Sequence, residues 1–175
     1  MQLNLHNETD FLKAVILGTA VNNGKPPQLA EAYDPKSKQH IQSGTYPEEA
    51  DMVKEIASVK KVLEKHNVEV YQPVNIKDCN QIFTRDIGFV VEDKFIIANI
   101  LPDREKEVEA LKPILSKVEP SKIIRMPENH HIEGGDVMLA DDYIFIGTYR
   151  GADYPDLITA RTNQKAIDAM KKHFP

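Results

Sequence analysis

Apolar residues return every three or four positions in three segments of the chain, which predicts three amphipathic helices. The first segment covers residues 47–66, where Pro47 and the acidic residues beside it suit the first turn of a helix. The second covers residues 103–118, and Pro113 within it predicts a kink or a late helix start. The third covers residues 162–174.

Short runs rich in β-branched residues lie between these helices and are typical of strands. The runs are KAVIL (13–17), VEVY (68–71), IGFVV (87–91), FIIANI (95–100), KIIRM (122–126), VMLA (137–140) and YIFIG (143–147). Acidic turns, Glu92-Asp93-Lys94 and Asp141-Asp142, join two neighbouring pairs of runs. These turns predict two β-hairpins.

The order of the elements repeats along the chain. Residues 86–126 are predicted as strand, strand, helix, strand, and residues 136–174 as strand, strand, helix. Placing Asp86 on Asp136 superposes the two hairpins at an offset of 50 residues with one gap, and the N-terminal part fits a looser copy. A repeated unit of this size indicates radial or stacked repetition in an α/β fold. A chance similarity of two hairpins is the alternative.

The composition narrows the class of protein. The chain has 175 residues, of which 41% are hydrophobic and 28% charged, as in a soluble globular domain. A net charge of −5, with no basic stripe, argues against a nucleic-acid partner. The longest apolar stretch, FIIANIL, is too short to cross a membrane, and the start of the chain does not resemble a signal peptide. Because Cys79 is the only cysteine, we expect a cytoplasmic protein.

The stretch HHIEGGDVML, residues 130–139, concentrates polar side chains just before a predicted strand. Its adjacent histidines would point to opposite faces of an extended chain, so a metal site is disfavoured. Glu133 and Asp136 flank Gly134-Gly135, and the freedom of the glycine backbone can bring acidic side chains into a tight pocket. A site for acid–base chemistry or charge recognition, and a plain glycine turn with solvated acids, both stay open.

A second polar stretch, FTRDIGF at residues 83–89, places Arg85-Asp86 where a strand is predicted to begin. Buried charges need partners, and a local ion pair is the simpler interpretation. In a radially repeated fold, however, equivalent strand ends converge near the axis. We therefore expect Arg85-Asp86 to meet Glu133 and Asp136 around one pocket. Carboxylates in such a pocket suit a planar cation that donates hydrogen bonds in forks, which means a guanidinium group.

Thr84-Arg85-Asp86 before one hairpin, and Glu133-Gly134-Gly135-Asp136 before the next, resemble motifs of the guanidino-group-modifying enzyme superfamily. The stretch ETDFLKAVILG is also similar to the first strand of these proteins. The superfamily includes amidinotransferases, arginine deiminases, dimethylarginine dimethylaminohydrolases and agmatine deiminases. The resemblance implies the pentein fold, a five-bladed α/β propeller of ββαβ units. It also implies a small guanidino substrate such as arginine, a covalent intermediate on a cysteine thiolate, and no cofactor.

The resemblance implies roles for single residues as well. Asp86 is similar to the carboxylate that grips the substrate guanidinium. Glu133 is similar to the acid that faces the guanidinium and orients the catalytic histidine. Both would be catalytic. Arg85 and Asp136 would brace the substrate pocket from behind, and the glycine pair 134–135 would shape the approach to it.

The apolar residues of region 19–46 follow neither a helix period nor a strand period, and the region contains three prolines and two glycines. Loops of this length are usually lids or binding loops, or else disordered. Asn22, Asn23 and Lys25 are weak candidates for contacting the carboxylate end of a substrate, and plain surface is the alternative for each.

The sequence departs from the superfamily at its C-terminal end. In relatives the catalytic histidine lies in a His-x-Asp motif after the third helix, and the nucleophilic cysteine lies near the C-terminus. Here His173 lies within a predicted helix and Cys79 precedes the Arg-Asp motif. We therefore expect residues 1–175 to form one domain of about three propeller blades, truncated before both groups and inactive alone. The open edges of such a partial propeller predict self-association.

Two functional interpretations stay open. The first is the N-terminal part of an amidinotransferase or amidinohydrolase, which the sequence does not distinguish. The second is a non-catalytic binding protein on the same propeller fold. The pair Asp86 and Glu133 favours an enzymatic ancestry, because a scaffold has no need of paired acids there. A metal-binding module at His130-His131 ranks below both.

Overall fold

Three small sheets, one after another along the chain, carry the fold in the computed structural model, which describes residues 1–32, 35–100, 104–148 and 162–175. The first pairs β1 (Ala14–Ile16) in parallel with β2 (Glu69–Tyr71). The second pairs β3 (Gly88–Val91) antiparallel to β4 (Lys94–Ile97), and β4 in parallel with β5 (Ile123–Arg125). The third pairs β6 (Val137–Ala140) antiparallel to β7 (Tyr143–Ile146). All seven predicted strands are thus confirmed.

The helices of the described segments are α1 (Pro35–Ser43), α2 (Glu49–Lys65), α3 (Thr84–Ile87), α4 (Glu105–Glu109), α5 (Lys112–Leu115) and α6 (Gln164–His173). The three predicted helices are present, and the second is broken in two. Pro113 explains the break, since it lies in the first turn of α5, where its missing N–H costs nothing. None of these helices has both the length and the apolar character that a membrane span requires.

Two local predictions were wrong. The region 19–46 is not structureless throughout, because it contains α1. That helix buries no residue, so it shows no apolar stripe in the sequence. The pair Arg85-Asp86 does not enter a strand either. It lies in α3, a single helical turn, and the strand begins only at Gly88.

The two hairpins repeat with an exact correspondence of strands. The first pairs Gly88 with Ile97 and the second pairs Val137 with Ile146, so each position recurs 49 residues later without a gap. The turn residues Glu92 and Asp141 both have a φ of 51°. The predicted offset of 50 residues was therefore wrong by one position. In the observed register Asp86 corresponds to Gly135, and Asp136 corresponds to Ile87. The two aspartates are therefore not equivalent positions of the repeat.

Two apolar clusters show how the units stack. The first joins one face of the β3–β4 hairpin, through Phe95 and Ile97, to the region of α5, and Ile16 and Tyr71 of the first sheet pack against it. The second joins the opposite face of the same hairpin to the next unit. Its buried members are Phe89, Val91, Ile96, Ile132, Val137, Leu139, Ala166 and Met170. The first and the second sheet are thus each covered by the unit that follows.

Candidate active site

The turn that contains Asp86 and the turn that contains Glu133 touch through their backbones. Gly134 and Gly135 lie in a 3-10 turn, Gly134–Asp136, directly before β6. A Cβ added at Gly134 would lie 2.0 Å from the carbonyl oxygen of Arg85, and one added at Gly135 would lie 2.7 Å from Oδ1 of Asp86. Only glycine permits this approach. The predicted convergence of the two stretches is therefore observed.

Arg85 fastens the two turns together. Its Nε donates a hydrogen bond to the carbonyl oxygen of Gly134 at 3.1 Å, and its Nη2 donates to the carbonyl oxygen of Val137. The same Nη2 forms an ion pair with Glu8 of the N-terminal segment. The guanidinium thus contacts two backbone acceptors and the carboxylate of Glu8. These contacts link the turn at residues 84–87 to the turn at residues 134–136.

Asp136 points toward α6. Its Oδ2 accepts hydrogen bonds from the backbone N–H of Thr162 at 3.0 Å and from the hydroxyl of Thr162 at 2.7 Å. The same hydroxyl oxygen accepts from the backbone N–H of Glu133 at 3.3 Å. Since Thr162 is buried, this contact fixes the turn to the segment that precedes α6. Asp136 thereby supports the backbone of Glu133.

The side chains of Asp86 and Glu133 meet at a third residue, Arg104, which lies just before α4. Nη1 of Arg104 donates to Oδ2 of Asp86 at 3.0 Å and to Oε1 of Glu133 at 3.2 Å. On the other edge of the guanidinium, Nε and Nη2 donate to the two oxygens of Glu107 at 2.7 and 2.9 Å. All four side chains are at least four-fifths buried. We refer to Asp86, Arg104, Glu107 and Glu133 as the guanidinium cluster.

The guanidinium cluster combines a desolvated cation with several acids. Burial by itself lowers the pKa of Arg104, but hydrogen bonds and charge attraction from Glu107, and then from Asp86, raise it well above its ordinary value. Arg104 is therefore a permanent cation. Three carboxylates surround it, which is the arrangement expected of a site that selects a guanidinium group.

Sequence reasoning missed Arg104 and Glu107. Their spacing of three residues is a local signal for an ion pair on a helix, but nothing in the sequence ties that pair to Asp86 or Glu133.

The lone cysteine lies outside the guanidinium cluster but within reach of its charges. Cys79 is half-buried, and burial followed by the negative charge of Glu107 raises the pKa of its thiol, while Lys106 and Arg104 partly offset this effect. Its thiol is therefore protonated at neutral pH. Such a thiol is a poor nucleophile.

The remaining candidates lie apart. The ring of His130 contacts Asn129 at 2.7 Å, and His131 buries an Nδ1 that has no protein partner among the described residues. Within those same segments, no three metal-binding side chains come together. His173 lies in α6 beside Phe174.

The weak candidates in the region 19–46 are partly fixed to α2. The backbone N–H groups of Asn22 and Asn23 donate to the carboxylate of Glu49 at 3.2 and 3.1 Å. The side-chain amide of Asn22 donates to Asn75 at 2.8 Å. Lys25 is exposed. These contacts fix the backbone of both asparagines and the side chain of Asn22, whereas Oδ1 of Asn23 is buried with no partner among the described residues.

Comparison with proteins of known structure gives strong matches to this fold. An amidinotransferase from Microseira wollei, SxtG of the saxitoxin biosynthetic pathway, matches with a TM-score of 0.70 and 18% identity over 98% of this chain. An inosamine-phosphate amidinotransferase of Streptomyces griseus matches with a TM-score of 0.70 and 19% identity over the whole chain. The dimethylarginine dimethylaminohydrolase of Pseudomonas aeruginosa, in complex with citrulline, matches with a TM-score of 0.64 and 19% identity over 93% of the chain.

Sequence comparison gives a less specific result. No protein-family model matches the chain. The uncharacterised protein YkgA of Bacillus subtilis (strain 168) is 33% identical over 117 residues, which cover 66% of this chain and 37% of YkgA. The structural match likewise covers 61% of both amidinotransferases. The chain thus spans less than two thirds of the length of the proteins it matches.

The resemblance to the guanidino-group-modifying enzymes is confirmed at the level of the fold. The chain has a mixed α/β fold that matches those of the amidinotransferases and of the aminohydrolase.

Proposed function

We propose that this chain supplies the guanidinium-recognising wall of an amidinotransferase or amidinohydrolase that acts on arginine or a related compound. One observation carries the proposal. Asp86 and Glu133, which come from turns in two successive units, converge on a guanidinium group, that of Arg104. In the proposed complex the guanidinium of a substrate takes this place.

Asp86 and Glu133 would prepare the substrate carbon for attack. A guanidinium is resonance-stabilised, so its central carbon is a poor electrophile. The two carboxylates hold its N–H groups and fix its plane. A cysteine thiolate then forms a bond to the carbon, and the C–N bond to the departing amine breaks as a histidine donates a proton to that amine. Water, or an acceptor amine, displaces the sulfur in the second step, which separates hydrolase from transferase.

The thiolate and the histidine of this reaction are not assigned to residues 1–175. Cys79 has a thiol whose pKa is raised, and it contacts Asn22 through its backbone N–H rather than the guanidinium cluster through its sulfur. His173 lies in α6. We therefore expect the 175-residue chain to be inactive alone. We also place the protein in the cytoplasm, on the strength of its single cysteine, and expect no nucleic-acid partner for its acidic chain.

We further propose that residues 1–175 form one domain of three blades of a five-bladed α/β propeller. The stacking of units supports this. The sheet face of the second unit, at Phe89 and Ile96, is buried against the third unit. The equivalent positions 49 residues later are Met138 and Phe145, which are 51% and 53% exposed. The exposed face is thus the one by which a blade contacts the next blade.

Self-association follows from this exposed face. Met138 and Phe145 are cross-strand partners, and the ring of Phe145 lies 6.3 Å from that of Tyr143, which is also exposed. A second copy of the chain can cover these three side chains. Sedimentation velocity should therefore detect dimers of the wild-type chain, and Phe145→Ser should reduce their fraction. Val62→Ser, at an equally exposed residue of α2, is the matched control. A strictly monomeric wild type at high concentration would contradict the proposal.

A non-catalytic binding protein on the same fold is the second candidate. Such a protein would bind its partner without turning it over. The two candidates differ in turnover. Release of citrulline or ornithine from arginine by the natural protein would favour the enzyme.

Titration of the 15N-labelled chain with L-arginine tests the guanidinium site, with L-lysine as a cationic control that lacks a fork of donors. We expect L-arginine to shift backbone signals of residues 83–89 and 133–137. Asp86→Asn and Glu133→Gln should each weaken binding by roughly tenfold or more, since each removes a charge-assisted hydrogen bond. Asp51→Asn and Glu109→Gln make the same chemical changes at exposed positions and should leave binding unchanged.

Either of two results would refute the proposed site. One is an equal response to L-lysine and L-arginine. The other is full affinity in both Asp86→Asn and Glu133→Gln, provided that thermal melting shows both variants to be folded.

A further inference from the structure

We propose that Arg104 is an internal occupant of the guanidinium site, which a guanidino ligand has to displace from Asp86 and Glu133. This inference rests on the proposed function, because it assumes that the same two carboxylates bind the ligand. Arg104 presents to them the chemical group that the ligand would present. The substrate-free chain is thus closed by its own guanidinium.

The two edges of Arg104 are held differently. Glu107 accepts two hydrogen bonds, from Nε and Nη2, in the paired geometry typical of an arginine–carboxylate contact. Asp86 and Glu133 share the single nitrogen Nη1, at 3.0 and 3.2 Å. The contacts with Glu107 are the shorter ones. A ligand therefore competes for the less strongly held edge, and Glu107 can keep Arg104 paired after it has left the acids.

A ligand can replace Arg104 at Asp86 and Glu133 without leaving a buried charge unpaired. In the cluster formed by the described residues, three carboxylates surround one guanidinium. The pair Arg104–Glu107 stays neutral as a unit, and Asp86 and Glu133 gain a new partner. Neither step leaves a buried charge uncompensated.

An internal occupant lowers the apparent affinity for the ligand. The apparent dissociation constant equals the intrinsic constant divided by the fraction of chains in which the site is open. Minor states of proteins are commonly populated at about 0.1–10%. Removal of Arg104 should therefore tighten ligand binding by about tenfold or more. A residue that served only to build the site would have the opposite effect.

The test uses Arg104→Gln/Glu107→Gln, a double variant that removes one buried cation and one buried anion. Glu109→Gln/Lys112→Gln removes an exposed ion pair on the neighbouring segment and is the matched control for charge. The probe is methylguanidinium, with methylammonium as the control ion, and binding to the full chain is measured by isothermal titration calorimetry. We expect at least tenfold tighter binding of methylguanidinium to the first variant and wild-type affinity in the second.

A second measurement follows Arg104 itself in the wild-type chain. The Nε–H signal of Arg104, assigned by its loss in Arg104→Lys, should shift when methylguanidinium saturates the site. The shift should be absent in Asp86→Asn/Glu133→Gln, in which the ligand has no carboxylates to bind. If the glutamine double variant fails to fold, Arg104→Lys serves in its place. Lysine keeps the charge but lacks the fork, so methylguanidinium should again bind more tightly than to the wild type.

The possible results separate this inference from the proposed function. Equal affinity in the wild type and the Arg104 variants, with loss in Asp86→Asn, would overturn the internal occupant and keep the guanidinium site. Weaker binding in the Arg104 variants would also overturn it, because Arg104 would then take part in holding the ligand. No binding of methylguanidinium by any of these chains would refute the guanidinium site itself.

Discussion

The hairpins β3–β4 and β6–β7 have the same register and the same turn conformation, yet they differ sharply in burial. Phe89 and Ile96 of the first hairpin face each other across the strands and are 9% and 0% exposed. Met138 and Phe145 occupy the same places in the second hairpin and are more than half exposed. Local structure is therefore set by the hairpin itself, and burial is set by what lies next to it.

The next unit along the chain makes this difference. It covers the first hairpin with β6 and α6, through Val137, Ala166 and Met170 among others. In a stack of repeated units, each interface between neighbours contributes its own share of stability. The second unit has such an interface on both sides. Substitutions at equivalent positions of the two hairpins should therefore differ in cost.

The largest effect is expected at Ile96. Ile96→Ala should lower the free energy of unfolding by about 2–5 kcal/mol, because it empties space in a closed cluster. Phe145→Ala removes a larger side chain but should change that free energy by only about 0.5 kcal/mol, since the side chain is exposed. Urea unfolding of both variants, at a protein concentration at which sedimentation detects only monomers, measures the two costs. Similar losses would mean that the face at Phe145 is covered within the chain.

The next largest effect is expected where the two units touch. Gly134→Ala places a Cβ 2.0 Å from the carbonyl oxygen of Arg85, and this backbone atom cannot move aside cheaply. The variant should lose about 1–3 kcal/mol, the usual cost of overpacking. At Gly147, after β7, the nearest atoms would lie 3.7 Å from an added Cβ, an ordinary contact. Gly147→Ala should therefore stay near wild-type stability in thermal melts, and an equal loss in both would contradict the close contact.

Most of the fold could be predicted from the sequence because its signals are local. The helix at Glu49–Lys65 and the hairpin strands have clear periods, and Pro113 marked the break between α4 and α5. The helix at Pro35–Ser43 was missed, because it buries nothing and so leaves no apolar period. The repeat was recognised, but its offset was wrong by one residue, because the match was made on two aspartates instead of on the strands.

The candidate site was predicted in part, for a related reason. Asp86 and Glu133 stand in recognisable motifs, and the repeat predicts that their turns meet. Arg104 could not be found in this way, because its pairing with both carboxylates spans 18 and 29 residues and depends on where the chain lies after β4. The acidic motifs predicted a guanidinium ligand, and among the described residues the guanidinium of Arg104 contacts both carboxylates.

A moderate effect is expected at the segment that fixes the third unit. The hydroxyl of Thr162 donates to Asp136 and accepts from the backbone of Glu133. Thr162→Val keeps the shape of the side chain but removes both contacts, so the free energy of unfolding should fall by about 1–2 kcal/mol. Thr45→Val makes the same change at an exposed site and should have little effect in urea unfolding. Equal effects would show that the contact with Asp136 adds no stability.

The smallest effect is expected on the reactivity of the Cys79 thiol. It tests whether the charged residues near α4 change the pKa of this thiol. Burial, and then Glu107, raise the pKa of the Cys79 thiol, so the thiolate fraction at pH 7 is smaller than for an ordinary cysteine. Alkylation by iodoacetamide should be slow at neutral pH, and its rate should rise with pH to a midpoint above that of a cysteine peptide. Glu107→Gln removes the nearby negative charge while Arg104 and Lys106 keep theirs, so the midpoint should move to lower pH. Glu109→Gln removes an exposed charge and should leave the midpoint in place. If Glu107→Gln does not move the midpoint, burial alone raises the pKa of the Cys79 thiol. The charges of the guanidinium cluster would then have no measurable effect at Cys79.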